Sequence, residues 1–211
     1  MRLNIPFYKN DEEGNQCVQV AMKTVLKYFL KKDYSLDKLD KLTGRREGKW
    51  TWTFQMVPVL HDLGLKVKFY SKEDIEPYLE GEPFIRKHFG KDAGKVLKHS
   101  DVDVIANSAR NTLKYNVFEK KVLSFDEIEQ HIKENHVSLV VIDHNKIVGK
   151  KGLYQGHFVV ITGFDKDYVY YHEPGPKNPE PNKKILKEVF IEAWDANGTD
   201  NDIVIVFGRR N

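Results

Sequence analysis

The spacing of apolar residues changes along this chain, and the change limits the folds open to it. Up to about residue 134, apolar side chains mostly recur every three or four positions, as Val18, Met22 and Val25 do, which is typical of amphipathic helices. From about residue 137 they form short continuous or alternating runs, which are typical of strands, as in 137–142 and 157–164. This order predicts an α+β fold in which N-terminal helices pack on a C-terminal antiparallel sheet.

Capping signals give the ends of several elements. Asn15 is a predicted N-cap of the first helix, and Ser35 and Gly44 are predicted to begin and end the second. Ser124 and Glu127 form a capping box for a helix that ends near residue 134. The other predicted elements are a helix over 50–63 that starts or bends at Pro58, strands over 65–70 and 137–142, a hairpin of 157–164 with 168–171, a helix over 185–194 and a strand over 203–207.

The domain organisation follows from length and composition. A chain of 211 residues with 40% apolar residues can bury one full core, so we predict a single domain over 1–211. Residues 74–116 are polar, rich in lysine and histidine, and only weakly periodic. We therefore predict that they form a helical insertion or a lid.

Charge and hydropathy argue against two classes of partner. The net charge is +3, from 34 basic and 31 acidic residues that are scattered in short pairs, so no nucleic-acid partner is expected. No stretch approaches the roughly 20 apolar residues that cross a bilayer, and no apolar run of signal-peptide length follows the first residues. We therefore expect no membrane partner and a cytoplasmic location.

The chain contains one cysteine, Cys17, so an intramolecular disulfide and a cysteine-based zinc cage are both excluded. A lone cysteine is commonly a small buried apolar residue. Cys17, however, lies in the first turn of a predicted helix, where the helix dipole and unpaired N–H groups lower a thiol pKa and can bind an oxyanion. The position makes Cys17 a candidate nucleophile.

Two further residues complete a candidate catalytic set. His157 opens an apolar strand 140 residues after Cys17, a separation compatible with papain-like hydrolases. Glu173 ends the strand predicted to pair with the strand of His157, so its carboxylate can hold the imidazole. His172, by alternation, faces away. The less favoured alternative is that Glu173 is an exposed turn carboxylate.

The remaining histidines lie in polar or helix-exposed contexts without the spacing of metal ligands, so the surface interpretation is favoured, and no metal or other cofactor is expected. They are His61, His88, His99, His131, His136 and His144. His144 follows a buried strand and is the one most able to face a cleft.

Three segments, 15–29, 156–165 and 169–175, together resemble one known family. They are similar to the bacteriocin-leader-processing peptidases (peptidase family C thirty-nine-like) of the papain-like cysteine peptidase superfamily. The resemblance implies a papain-like fold and cleavage of peptide or related amide bonds. It also implies that Cys17 is the nucleophile and His157 the base, with Glu173 in place of the family's usual Asp.

The oxyanion hole departs from that family's pattern. The family carries a Gln six residues before the cysteine, and here that position is Asp11, whose charge would repel an oxyanion. Asn10 and Gln16 are the two candidates to replace it, and the sequence does not choose between them.

The predicted function is that of a cysteine peptidase or amide hydrolase acting through an acyl-enzyme on a peptide or amide substrate. Three alternatives stay open: a papain-like binding or regulatory module with a disabled site, an acyltransferase of the same fold, and a zinc site built from Cys17, His157 and a carboxylate.

Overall fold

A seven-stranded sheet organises the part of the chain that the computed structural model describes, residues 1–10 and 15–210. The strands are β1 (Leu65–Ser71), β2 (Phe118–Lys120), β3 (Val137–Asp143), β4 (Gly156–Phe164), β5 (Tyr168–Glu173), β6 (Glu180–Leu186) and β7 (Ile203–Arg209). Their order across the sheet is β2-β1-β7-β3-β4-β5-β6. The central strands β7, β3 and β4 are largely buried, which explains their continuous apolar sequences.

Helices precede and flank this sheet. They are α1 (Cys17–Val25), α2 (Leu36–Thr43), α3 (Thr53–Asp62), α4 (Glu82–Phe89), α5 (Ala93–His99), α6 (Val102–Lys114), α7 (Phe125–Lys133), α8 (His144–Ile147) and α9 (Lys187–Trp194). A π-helical stretch, Leu26–Leu30, continues α1, and two 3₁₀ turns cover Glu76–Glu80 and Gly90–Asp92. No helix among these described residues is both long and apolar enough to cross a membrane.

The predicted fold class is confirmed, and so are the caps of two helices. The Ser35 side chain accepts a hydrogen bond from the backbone of Lys38, and Gly44 ends α2 with a left-handed φ of 71°. Ser124 and Glu127 form the predicted reciprocal capping box at the start of α7. Because cap signals act within a few residues, they can be read from the sequence.

The starts of two helices differ from the prediction. The N-cap of α1 is Gln16 and not Asn15. Helix α3 begins at Thr53 and continues through Pro58. A proline inside a helix leaves the carbonyl four residues earlier without its usual donor, and here the hydroxyl of Thr112 donates to the Phe54 carbonyl at 3.2 Å.

Two strands also depart from the prediction. Strand β2 pairs with β1 in parallel, because the helices between them return the chain to the same end of the sheet. Residues 180–186, predicted as loop and helix start, form the edge strand β6, and α9 begins only at Lys187. An exposed edge strand tolerates Pro181 and carries a polar sequence, so it has no clear apolar alternation.

Residues 74–116 contain the helices α4, α5 and α6. Helix α6 packs on α3 through the Thr112 contact, and its residues Ile105 and Ala109 are buried in the same core as β1 and β7. The C-terminal part of residues 74–116 therefore packs against α3. A lid over the cleft stays a prediction.

Candidate active site

Cys17 is the first residue of α1, next to strand β4. Its partly buried sulfur accepts hydrogen bonds from the backbone of Phe158 and Val18 and from the side chain of His157. The backbone N–H of Gln16 donates to Asn10 Oδ1 at 3.0 Å, which holds Asn10 against the start of the helix. The thiol therefore lies where the positive end of a nine-residue helix meets the sheet.

His157 is the second residue of β4 and pairs with Ile142 of β3. Its side chain is 11% exposed, and its Nε2 lies 2.7 Å from Glu173 Oε1. The ring thus has one polar neighbour on each side, the thiol and the carboxylate.

Glu173 ends β5, the strand that pairs with β4. Its side chain is only 2% exposed. Oε1 also accepts a hydrogen bond from the backbone N–H of Gly175 at 3.0 Å, and Lys183 Nζ lies 4.0 Å from Oε2. Glu173 is therefore a buried carboxylate that contacts the imidazole, and the interpretation as an exposed turn residue does not describe it.

The three groups change each other's proton affinity. Burial opposes the charged form of each, but the hydrogen bond and charge of His157 outweigh burial and hold the pKa of Cys17 below its ordinary value. Burial would likewise lower the pKa of His157, yet its bonds to Cys17 and Glu173 raise that pKa to about 9. At Glu173 burial is the largest single effect, but the hydrogen bonds and charges of His157, Gly175 and Lys183 together outweigh it, so the pKa of that carboxyl is lowered. These shifts favour a thiolate beside an imidazolium near neutral pH.

The two oxyanion candidates have different surroundings. The side chain of Gln16 is buried, and its Nε2 donates to Asp40 Oδ2 at 2.6 Å, which ties α1 to α2. Asn10 lies against the start of α1 through its bond to the Gln16 backbone. Asp11, which stands at the position of the family's oxyanion-hole Gln, lies outside the described residues.

His144 also lies at this site, although the surface interpretation was the favoured one for it. Its ring meets that of His157 edge to face at a centroid distance of 5.1 Å. Burial, followed by the charge of His157, lowers the pKa of His144. Ligand atoms of His144, His157 and Glu173 lie within 4.8 Å of one another, so these residues could hold a metal ion.

Tyr154 is a neighbour that the sequence reasoning missed. Its hydroxyl would lie 2.9 Å from a Cβ placed on Gly156, so the tyrosine side chain lies close against this glycine. Burial and nearby carboxylates raise the Tyr154 pKa, and the charge of Cys17 adds to the effect. A tyrosine in a polar loop carries no periodic signal that would have identified it.

A small pocket opens beside Cys17. Its walls are mainly apolar and include Tyr8, Val20, Phe158 and Pro174. His172 reaches this pocket, and its Nε2 donates to the Ile5 carbonyl at 3.0 Å.

One expectation about the other histidines is wrong. His131 and His136 were predicted to lack ligand spacing, but their Nδ1 atoms lie 3.2 Å apart. The chain reverses between them at Asn135, which has a φ of 63°, so positions five apart become neighbours.

The fold is similar to that of two solved peptidase domains. The peptidase domain of Streptococcus ComA, a bi-functional ABC transporter, is 14% identical with a TM-score of 0.50, over 96% of this chain and 97% of that one. A double glycine motif protease from an AMS/PCAT transporter is 16% identical with a TM-score of 0.50, over 97% of this chain and 93% of that one. The chain therefore has the papain-like fold of peptidase family C thirty-nine-like domains, as the resemblance implied.

A family model described as guanylylate cyclase matches residues 10–206, nearly the whole chain. That match spans α1, β4 and β5, and therefore all three residues of the candidate site. The chain belongs to the guanylylate cyclase family and has a papain-like fold.

Proposed function

We propose that the protein is a cysteine-type hydrolase that cleaves peptide or related amide bonds. The observation that carries the proposal is the continuous hydrogen-bonded chain from the Cys17 thiol through His157 to the buried Glu173 carboxylate. A thiol at a helix N-terminus beside an imidazolium is the arrangement that activates sulfur as a nucleophile.

The proposed reaction has two halves. The Cys17 thiolate attacks the acyl carbon, the C–N bond breaks, and the proton of the His157 imidazolium goes to the leaving amine. In the second half, His157 takes a proton from water, the hydroxide attacks the thioester, and the acid leaves as the thiolate re-forms. Glu173 holds the imidazole in the required orientation throughout.

The developing oxyanion needs donors next to the sulfur. We propose that backbone N–H groups at the start of α1 act together with the side-chain amide of Asn10. The contact between Asn10 and Gln16 supports this choice, because it places Asn10 at the helix start. The bond from the Gln16 amide to Asp40 makes Gln16 the weaker candidate.

Alkylation of the thiol tests the activated site directly. Cys17 is the one cysteine of the chain, so uptake of iodoacetamide reports this sulfur alone. We expect alkylation to be fast well below pH 8 in the wild type and slow at that pH in His157→Ala, because the imidazolium stabilises the thiolate. His88→Ala, a change at an exposed histidine of α4, serves as the control and should behave as the wild type.

Substrate turnover completes this test. Hydrolysis of a peptide-amide library should fall by at least about 10³-fold in Cys17→Ala. An ordinary thiol titration that is unchanged in His157→Ala would contradict the proposal and favour a binding or regulatory module. Transfer of the acyl group to an added amine instead of water would identify an acyltransferase.

The family description supports a second candidate, formation of a cyclic nucleotide from a guanine nucleoside triphosphate. That reaction needs a base for the attacking hydroxyl and cations for the phosphates. His144, His157 and Glu173 could supply a base or hold a metal ion. The thiol of Cys17 has no evident part in it.

Nucleotide assays separate the two candidates. We expect no cyclic product when the wild-type protein is incubated with GTP and Mg²⁺ or Mn²⁺. Cyclic guanylate that forms equally well in Cys17→Ala would overturn the hydrolase proposal in favour of the cyclase, because the thiol would then be dispensable.

A further inference from the structure

Three metal-ligating side chains meet where α7 ends and β3 begins. His131 lies in the last turn of α7, and Glu134 and His136 follow in the connecting turn. The His136 backbone N–H donates to the His131 carbonyl at 2.9 Å, which closes the turn. The backbone itself therefore holds the three side chains together.

The distances between their ligand atoms fit a small tetrahedral ion. The two histidine Nδ1 atoms are 3.2 Å apart, and His136 Nδ1 lies 3.5 Å from Glu134 Oε2. Zinc bonds of about 2.0–2.2 Å to nitrogen and oxygen place two tetrahedral ligands about 3.3–3.6 Å apart. Ligand atoms of all three residues lie within 4.8 Å of one another. The three side chains would therefore need to move only a little to coordinate an ion.

Neighbouring groups orient these ligands. Gln130 Nε2 donates to the other oxygen of Glu134, Oε1, at 2.8 Å, which leaves Oε2 toward His136. The ring of Phe207 contacts both imidazoles, with centroids 5.7 Å from His131 and 4.7 Å from His136. Such outer contacts hold ligands of a metal site in one orientation.

The electrostatic environment also suits a cation. The carbonyl end of α7 carries the negative end of the helix dipole, and Glu134 adds a full negative charge. A proton shared by two Nδ1 atoms accounts for the histidine pair in the absence of metal. A shared proton does not explain why the Glu134 carboxylate lies beside the same Nδ1 atoms, whereas a bound metal ion would explain it.

We propose that His131, Glu134 and His136 form a site for a divalent transition-metal ion, with zinc as the natural occupant. Two imidazoles and one carboxylate are a donor set that suits zinc, and water completes the coordination. In the metal-bound form each neutral imidazole would carry its proton on Nε2, which leaves both Nδ1 atoms to bind the ion. The ion would join the end of α7 to the start of the central strand β3.

Zinc titration in a protected background tests the site. The parent variant for this test carries Cys17→Ala and His157→Ala. It lacks two possible metal ligands of the candidate active site, so the active site does not compete for zinc. In this background we expect isothermal titration with zinc chloride to show one ion per chain, and zinc to raise the melting temperature. Further substitution His136→Ala should weaken binding by more than tenfold, since even the loss of an outer-shell group costs about that much.

A second variant and a control keep the result interpretable. Glu134→Gln changes an exposed side chain, so in the presence of EDTA it should melt at the same temperature as its parent, yet it should bind zinc more weakly. His88→Ala should bind zinc as its parent does. Unchanged affinity in both His136→Ala and Glu134→Gln, or no binding in the parent, would overturn the proposal.

Discussion

At the residue scale, the candidate site depends on how each buried group sets the charge of the next. Glu173 is buried and hydrogen-bonded to His157, and its bonds and neighbouring charges together outweigh burial and lower its pKa. Because His157 lies between a carboxylate and a thiol, its pKa rises to about 9 despite burial. The proposed hydrolysis requires a protonated His157 for amine departure, so activity should fall as the pH rises through this value.

Replacement of Glu173 tests this coupling. Glu173→Gln removes a negative charge that raises the His157 pKa, so the alkaline limit of activity should move from about 9 to lower pH. We also expect kcat/KM to fall by about 10²- to 10⁴-fold, because the amide does not hold the imidazolium as the carboxylate does. Measurement of kcat/KM against pH checks both effects.

Glu188→Gln, on the exposed side of α9, is the matched control. It should leave the pH profile unchanged. An alkaline limit that stays in place in Glu173→Gln would show that the carboxylate does not set the His157 pKa.

At the element scale, the N-terminal segment links the sheet to the site. Leu3 donates to Thr162 of β4 at 2.7 Å, and Asn10 donates through its backbone to the Pro174 carbonyl at 2.8 Å, next to Glu173. The segment pairs with β4 in antiparallel fashion at Gly163, where an added Cβ would lie within 3 Å of the backbone of Met1 and Arg2. Glycine is therefore needed for this close approach.

Gly163→Ala should displace this segment and lower the free energy of unfolding by about 1–3 kcal/mol, the usual cost of overpacking. Through Asn10, it should also reduce the proposed activity. Urea unfolding and peptide turnover measure the two effects.

Gly94→Ala is the matched substitution in helix α5, where an added Cβ meets no atom within 4 Å. It should stabilise the protein by up to about 1 kcal/mol, because alanine favours the helix. Equal effects of the two substitutions would contradict the importance of the contact at Gly163.

At the scale of the whole molecule, one apolar core joins the sheet, α1, α3 and α6. Leu139 lies on the central strand β3 and is fully buried. Its neighbours in the sheet are β4, which carries His157, and β7. Loss of packing at this position should therefore weaken the entire fold.

Leu139→Ala should lower the free energy of unfolding by about 2–5 kcal/mol, from lost transfer energy and the cavity left behind. Leu153→Ala, at a side chain that is 89% exposed, should change it by less than about 0.5 kcal/mol. Chemical denaturation of both variants gives the comparison. Similar values for the two leucines would mean that β3 does not lie at the centre of the core.

The amino-acid sequence alone was enough to predict the α+β class, the caps at Ser35 and Ser124, and the residues of the candidate site. These features depend on periodicity, on side chains a few positions apart, or on residue types with distinctive chemistry. Cys17, His157 and Glu173 were proposed from such residue types on a recognisable family pattern, and the fold brings them together.

Only the tertiary structure decided the contacts between residues distant in sequence. The Gln16 amide binds Asp40 across two helices, Thr112 satisfies the carbonyl that Pro58 leaves open, and residues 180–186 become a strand by pairing with β5. Each of these outcomes depends on which elements become neighbours in space. A local pattern does not contain that information, because the partner that satisfies a buried polar group or a strand edge is brought to it by the fold.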